Sequence, residues 1–211
     1  MGLQDDVNRA RAAADAEGAA ELRRREAAHR AASDLWADFL SCCREYAELA
    51  PRNGRPSSAG QQVRSTYRLR TRREKDRGNW DHVVDNPGGW IFNDEGRLFC
   101  ITTDGALLTE KRKVAERAGI FPVRTRFIHR FEPCPAFPAS ASEFAGRPEQ
   151  LPGIFRILRS GRYSSPLSEV VRRDIAEFGG AVAIGTSATD DEGTVFVFAK
   201  DLLVDSLKSA P

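Results

Sequence analysis

The sequence predicts an α+β fold, in which a long N-terminal helix precedes a mainly antiparallel sheet with two or three packed helices. Three observations support this class. Alanine and long straight side chains dominate residues 1–50. Short runs of alternating apolar and polar residues follow, and glycine-bearing turns separate several of them, as in hairpins. The predicted organisation is a helix over 1–50, a linker over 51–62 and an α+β domain over 63–211.

The first predicted element is a single helix over residues 3–49. Residues 28–49 carry apolar side chains at alternating spacings of four and three, in a stripe broad enough to pack on a globular body. Charged residues interrupt the stripe in residues 3–27, which are therefore expected to project from the body or to form a coiled-coil contact with a partner helix. Pro51 disfavours helical geometry in the residue before it, so the helix is expected to stop by Ala50.

Two predicted strands carry rows of arginines. Residues 63–72 alternate between basic and semi-apolar side chains, and so do residues 123–131. If the two strands lie side by side, their guanidinium groups form a common surface suited to phosphate. Tyr67, Trp80 and Trp90 are candidates for stacking on bases. The predicted polyanion-binding residues are Arg64, Arg68, Arg70, Arg72, Arg124, Arg126 and Arg130.

The net charge of +2 conceals an uneven distribution. Residues 52–77 hold nine basic and two acidic residues, so the rest of the chain is acidic. A basic segment of this kind favours a nucleic acid or an acidic protein as partner. The alternative is a solvated charged face that carboxylates of the long helix neutralise. No sequence pattern of a known nucleic-acid-binding motif decides between the two.

The remaining elements follow from local patterns. Asn86–Gly89 is predicted to be a turn before a three-stranded meander, and Thr109 is predicted to cap a helix over Glu110–Ala118. A helix from the Ser165 cap to Phe178 follows further on. The other predicted elements are meander strands at Trp90–Asn93, Arg97–Thr102 and Ala106–Leu108, helical turns at Ser142–Ala145 and Ile154–Leu158, a hairpin of Ala181–Ser187 and Thr194–Lys200, and a helix over Asp201–Lys208.

Catalytic chemistry has few candidates. His82, near Asp81 and Asp85, is the best placed to act as a general base, but no serine or cysteine occupies a nucleophile-elbow motif. His29 and His129 are expected to be packed and hydrogen-bonded. No metal-ligand spacing or phosphate-binding loop is present, so neither a metal nor a cofactor is expected.

The four cysteines are predicted to be free and mostly buried thiols, because none forms a C-x-x-C pair. No apolar run approaches the length needed to cross a bilayer, and the N-terminus lacks the features of a signal peptide. A cytoplasmic location is therefore expected. The cysteines are Cys42, Cys43, Cys100 and Cys134.

These patterns favour a non-enzymatic interaction protein. The first hypothesis is a helix-mediated oligomer whose basic sheet face binds nucleic acid or another polyanion. The alternative is an adaptor, assembly factor or regulator that binds only proteins and docks a partner through residues 3–27. A weaker alternative is a hydrolase-type enzyme that uses His82 with Asp81 or Asp85.

Overall fold

The computed structural model describes residues 2–67, 80–94, 97–118, 124–144, 149–159, 168–186 and 195–209. It confirms the α+β class, with a long first helix and mostly antiparallel strands. The elements are α1 (Leu3–Arg52), β1 (Ser58–Tyr67), β2 (Trp80–Asp94), β3 (Arg97–Thr102), β4 (Leu107–Ala118), β5 (Arg124–Pro133), α2 (Ala141–Phe144), β6 (Phe155–Leu158), α3 (Glu169–Phe178), β7 (Ala181–Thr186), β8 (Val195–Phe198) and α4 (Ala199–Lys208).

Helix α1 contains 50 residues and is about 75 Å long at 1.5 Å per residue. It passes through Pro51 and ends at Arg52, so the expected stop by Ala50 is wrong. Proline removes a single backbone donor in the last turn, and the end is then closed by a glycine in the left-handed conformation. Gly54 has φ of 72°, and the next backbone N–H, that of Arg55, donates to the carbonyl oxygen of Ala50 at 2.8 Å.

Strands β1 to β5 form one sheet in sequence order, and β2 also pairs with β5 in parallel. The pairings β2–β3, β3–β4, β4–β5 and β5–β2 therefore form a closed circuit. The long strand β2 makes this closure, because its first residues pair with both β1 and β5 and its last six pair with β3. Antiparallel pairing dominates, as predicted.

Strands β6, β7 and β8 form a separate antiparallel sheet. Helix α1 lies against both sheets, since a single hydrophobic cluster contains residues of α1, β2, β3, β6, β7 and α4. Aromatic rings occupy its centre: Phe155 lies 5.3 Å from both Trp36 and Phe39 and 5.5 Å from Phe99, measured between ring centroids. Residues 28–49 of α1 thus have the packing role predicted for them.

The segment predicted as the helix Glu110–Ala118 is instead the outer part of strand β4, which pairs with β5 along most of its length. Glu, Lys, Arg and Ala favour a helix, but this preference is weak against non-local strand pairing. Val114 lies opposite Ile128, and Ala115 lies opposite Phe127. The apolar residues of the segment thus acquire strand partners from β5.

Three shorter predictions are also corrected. Ile154–Leu158 contributes strand β6 and no helical turn, with Phe155 and Ile157 buried in alternation. The predicted turn at Asn86–Gly89 lies inside β2, where the backbone of Gly89 approaches β3 so closely that a Cβ atom would lie 2.1 Å from the carbonyl oxygen of Ile101. Helix α3 begins later than predicted, at Glu169, and is capped by Ser168, whose Oγ accepts a hydrogen bond from the N–H of Val171 at 3.2 Å. The predicted cap, Ser165, lies outside the described residues.

The other predicted elements agree with the structure. The short helix near residue 142, the strand that begins near residue 123, the closing hairpin and the last helix are confirmed to within a few residues. Strand β1 begins at Ser58, within the segment assigned to the linker. The outer part of the predicted arginine strand, residues 68–72, lies outside the described residues.

Candidate functional site

The first half of α1 is exposed to solvent on all sides. From residue 4 to residue 27 only Ala20 is partly buried, and two apolar side chains are open, Val7 at 37% and Leu22 at 57% exposure. Burial begins with Ala28, and Nε2 of His29 lies 2.9 Å from the carbonyl oxygen of Pro138. The helix therefore continues well beyond the part that packs on the body, as predicted.

This exposed half has local sources of helicity. Arg9 pairs with Asp6, and the carboxylate of Glu21 pairs with Arg25 at 2.9 Å and more distantly with Arg24. Exposed pairs at these spacings each contribute only about 0.2–0.5 kcal/mol. The packed half also supplies helical turns from which the exposed half can extend. The unfavourable free energy of forming a first turn therefore does not apply to the exposed half. The exposed half can thus stay helical without touching the body.

Strands β1, β2, β4 and β5 reach the same end of the five-stranded sheet, and three of them carry arginines. Tyr67 of β1 lies opposite Trp80 of β2, which in turn lies opposite Thr125 of β5. Thr125 is also opposite Arg117 of β4. The described parts of all four strands therefore end at the same edge of the sheet, with Tyr67 and Ala118 as the last described residues of β1 and β4. We call this part of the sheet the basic end.

The structure separates the two predicted arginine rows, because β2 lies between β1 and β5. Arg126 stands directly opposite Asp81 on β2 and Glu116 on β4, so carboxylate positions flank it on both sides. Arg124, in contrast, stands opposite Ala118. The condition for a common arginine surface, that the two strands lie side by side, is therefore not met by β1 and β5, although both strands belong to the same sheet.

Of the other predicted basic residues, two lie at different places in the sheet and three lie outside the described residues. Arg130 is exposed in β5 and stands opposite Lys111, whose ammonium contacts the carboxylate of Glu132 at 2.9 Å. Arg64 lies in β1 at an irregularity of the β1–β2 register. Arg68, Arg70 and Arg72 lie outside the described residues.

The aromatic residues proposed for stacking do not form one group. Tyr67 and Trp80 are cross-strand partners at the basic end. Trp90 lies ten positions further along β2, about 33 Å away if the strand is extended. It is 8% exposed, packs edge-on against Tyr46 at 5.6 Å between ring centroids, and donates its Nε1–H to the carbonyl oxygen of Arg55 at 3.0 Å. Trp90 is thus a core residue and cannot stack beside the other two.

His82, the proposed general base, lies in β2 next to Asp81, and Asp85 lies three residues further along the same strand. A general base of this kind needs hydrogen-bond contact between the imidazole and a carboxylate. The proposed His82 base stays a prediction.

The buried charged clusters involve residues that sequence reasoning did not select. Nζ of Lys200 contacts Oδ1 of Asp174 at 2.7 Å and also the carboxylate of Asp38. Nδ1 of His129 lies 2.5 Å from Oε1 of Glu110, with both side chains almost wholly buried, so His129 is packed and hydrogen-bonded as predicted. No sequence spacing links Lys200, Asp174 and Asp38, because α4, α3 and α1 meet only in the folded protein.

The cysteines are free, as predicted. Cys43 and Cys100 are buried, and burial raises the pKa of the Cys100 thiol to about 12. Burial also raises the pKa of the partly buried thiol of Cys134 to about 12. These thiols are therefore protonated near neutral pH and are weak nucleophiles.

The chain matches no protein-family model, and comparisons with curated proteins and with solved structures gave no significant match. Within the described ranges, no group of three or more His, Cys, Asp or Glu residues is arranged to hold a metal ion. Nor does any helix in that part of the chain have the length and apolar character needed to span a bilayer. The geometry of the chain itself is therefore the basis for assigning a function.

Proposed function

We propose that the protein is a non-enzymatic interaction protein that self-associates through residues 3–27 of α1. One observation carries the proposal: a helix whose second half forms the core continues for about 37 Å with its side chains in solvent. A helix that is polar on all sides commonly bridges to another domain or protein. Residues 4–27 are almost wholly exposed, so they contribute little to the core of the described part of the chain.

The composition of the exposed half suits a close helix pair. Alanine occupies eight positions between residues 10 and 27, so a second helix can approach with little steric obstruction. Val7 and Leu22 add exposed apolar surface near the two ends of the segment. Pairing would remove this surface from water, at about 25 cal/mol per Å² of apolar area.

The order of charges favours an antiparallel pair of identical chains. Asp5 and Asp6 lie near the start of the segment, and Arg23, Arg24 and Arg25 lie near its end. A parallel pair would place like charges together, whereas an antiparallel pair brings each acidic group against the basic group of the other copy. It also keeps the two globular bodies at opposite ends.

The mass of the full chain in solution tests self-association. Light scattering at micromolar concentration is expected to give twice the monomer mass of 23.3 kDa. A chain that starts at Ala28 is expected to be monomeric and folded, because the first core residue is Ala32. Equal monomer masses for both chains would contradict self-association and favour the alternative of an adaptor that docks a different protein.

A second candidate function is the binding of nucleic acid or another polyanion at the basic end. Its support is the strand register, which brings Tyr67, Arg117 and Arg124 to one end of the sheet, together with the arginine-rich sequence that follows Tyr67. Clustered arginines bind phosphate through charge-assisted and bidentate hydrogen bonds. The carboxylate positions opposite Arg126 reduce the net charge, so Arg124 and residues 68–77 would make the larger contribution.

Gel retardation of single-stranded nucleic acid at modest salt tests this second function. The double variant Arg68→Glu and Arg70→Glu is expected to abolish retardation at micromolar protein, because reversed charges repel phosphate. The matched control reverses two exposed arginines on helices α1 and α3, Arg52→Glu and Arg172→Glu, and should still retard the nucleic acid. The absence of retardation by the unmodified protein, or equal effects of the two double variants, would exclude polyanion binding at this end.

A further inference from the structure

A cleft of about 430 Å³ lies where the end of α1, the start of β1, the middle of β2 and the end of α4 meet. Its volume falls within the range of small-molecule sites. Polar groups enter it from Arg55, Tyr46, Ser206 and Ser209, and Trp90 and Phe92 form an apolar wall. None of the residues that line this cleft is Asp or Glu. The basic end lies about 30 Å away along β1.

The backbone holds Arg55 rigidly at this cleft. Its N–H donates to the carbonyl oxygen of Ala50 at 2.8 Å, which closes the end of α1. Its carbonyl oxygen accepts the indole N–H of Trp90 at 3.0 Å. The left-handed conformation at Gly54 directs the chain between these two bonds. The two backbone hydrogen bonds therefore fix the point from which the Arg55 side chain extends.

The guanidinium group of Arg55 is not neutralised within the described part of the chain. Its Nε is buried and has no hydrogen-bond partner there. No described carboxylate forms an ion pair with it, in contrast to the buried Lys200, which contacts two. Because the Nε atom is closed to solvent, a ligand in the cleft would reach the guanidinium group through its other nitrogens. An anionic group there would neutralise the charge of Arg55 through charge-assisted hydrogen bonds.

The hydroxyl groups of Tyr46 and Ser206 provide a further donor. Their oxygens lie 2.8 Å apart and share one hydrogen bond, so one of the two O–H groups remains to donate into the cleft. Burial raises the pKa of Tyr46, while the Ser206 bond and the Arg55 charge act in the opposite direction. The phenol thus stays protonated near neutral pH. Its ring meets those of Trp90 and Phe92 edge-on, at 5.6 and 5.2 Å between centroids.

We infer that this cleft binds a small molecule with one anionic group, a phosphate or a carboxylate, attached to an apolar or aromatic moiety. The Arg55 guanidinium binds the anion, the Tyr46–Ser206 hydroxyl pair donates one hydrogen bond, and the wall of Trp90 and Phe92 contacts the apolar part. The inference is independent of self-association, because every residue of the cleft follows Ala28.

The indole N–H signal of Trp90 in a ¹H–¹⁵N spectrum reports binding, because that N–H donates a hydrogen bond to the carbonyl oxygen of Arg55. Trp→Phe variants assign the indole signals, and the buried Trp36 serves as reference. Phenyl phosphate or benzoate is expected to shift the Trp90 signal with saturation, whereas phenol at the same concentration is not. Whichever anion binds more tightly identifies the preferred group. No saturable shift with either anion would overturn the inference.

A pair of variants tests the role of the guanidinium. Arg55→Gln is expected to weaken binding about tenfold or more, since it removes a charge-assisted hydrogen bond. Arg52→Gln makes the same change at an exposed arginine three residues earlier and should leave affinity unchanged. Tyr46→Phe, which keeps the ring, should weaken binding by a smaller factor. Equal affinities of the Arg55→Gln and Arg52→Gln proteins, both with unchanged thermal unfolding, would also overturn the inference.

Discussion

Replacement of Lys200 by methionine is expected to lower the free energy of unfolding by about 3–5 kcal/mol. Lys200 is 3% exposed, and its ammonium links Asp174 of α3 and Asp38 of α1 to α4. Without it, Asp174 at 1% exposure would be a buried charge with no ion-pair partner among the described residues. Oδ2 of Asp174 already has no hydrogen-bond partner among the described groups, so nothing there compensates for the loss. Urea unfolding followed by circular dichroism measures the change.

Lys208→Met is the matched control, because the side chain of Lys208 is 72% exposed and its contact with Asp205 is long, at 3.8 Å. We expect it to change the free energy of unfolding by no more than about 0.5 kcal/mol. The double variant Lys200→Met with Asp174→Leu should recover much of the loss, because it removes both buried charges. Equal effects at Lys200 and Lys208 would show that the buried cluster does not stabilise the fold.

The cluster also predicts how the effect depends on pH. Burial lowers the pKa of Lys200, but its hydrogen bonds to the two carboxylates outweigh this and leave the pKa above its ordinary value of 10.5. The folded state then binds that proton more tightly, so the contribution of Lys200 is complete below pH 10.5 and is lost as the pH rises through the folded pKa. The stability difference between the unmodified protein and Lys200→Met should therefore shrink in alkali.

Phe155→Ala is expected to cost about 3–5 kcal/mol, because it removes a wholly buried ring from the junction of α1 with both sheets. Its neighbours Phe39 and Phe99 belong to α1 and β3, so collapse into the cavity would require several elements to move together. The midpoint of thermal unfolding should fall accordingly.

Phe196→Ala provides the control, since Phe196 is a strand residue with 38% of its surface exposed. Its truncation removes the same atoms without opening a closed cavity, and we expect a clearly smaller loss. If the two variants unfolded at the same temperature, the central position assigned to Phe155 would be incorrect.

The sequence predicted those features that depend on local periodicity. The apolar stripe of residues 28–49 predicted the half of α1 that packs on the body. The interruption of that stripe in residues 3–27 predicted the exposed half. Glycine-bearing turns predicted the meander of strands, and the predicted strand Arg97–Thr102 has the same bounds as β3. Where tertiary pairing opposed local preference, prediction failed. Residues 110–118 have a helical composition, yet β5 holds them in a strand.

The candidate sites were less predictable, because each is formed by residues that are far apart in the sequence. The closed strand circuit places β2 between the two arginine-bearing strands, and no local pattern specifies that order. Trp90 was selected for its aromatic ring, but its place in the core depends on α1. The cleft at Arg55 combines residues as distant as Tyr46 and Ser209. One residue of the cleft could have been selected from the sequence, because an arginine that directly follows a helix-ending glycine lies at a fixed position.

A charge-exchange experiment in the analytical ultracentrifuge tests antiparallel self-association most directly. One chain carries Arg23→Glu, Arg24→Glu and Arg25→Glu, and the other carries Asp5→Arg and Asp6→Arg. Each chain alone brings like charges together in an antiparallel pair, whereas the mixture brings opposite charges together at both ends. We expect a dimer for the unmodified protein, a monomer for each variant alone and a dimer for the equimolar mixture. A mixture that sediments as monomers while the unmodified protein is a dimer would contradict antiparallel self-association.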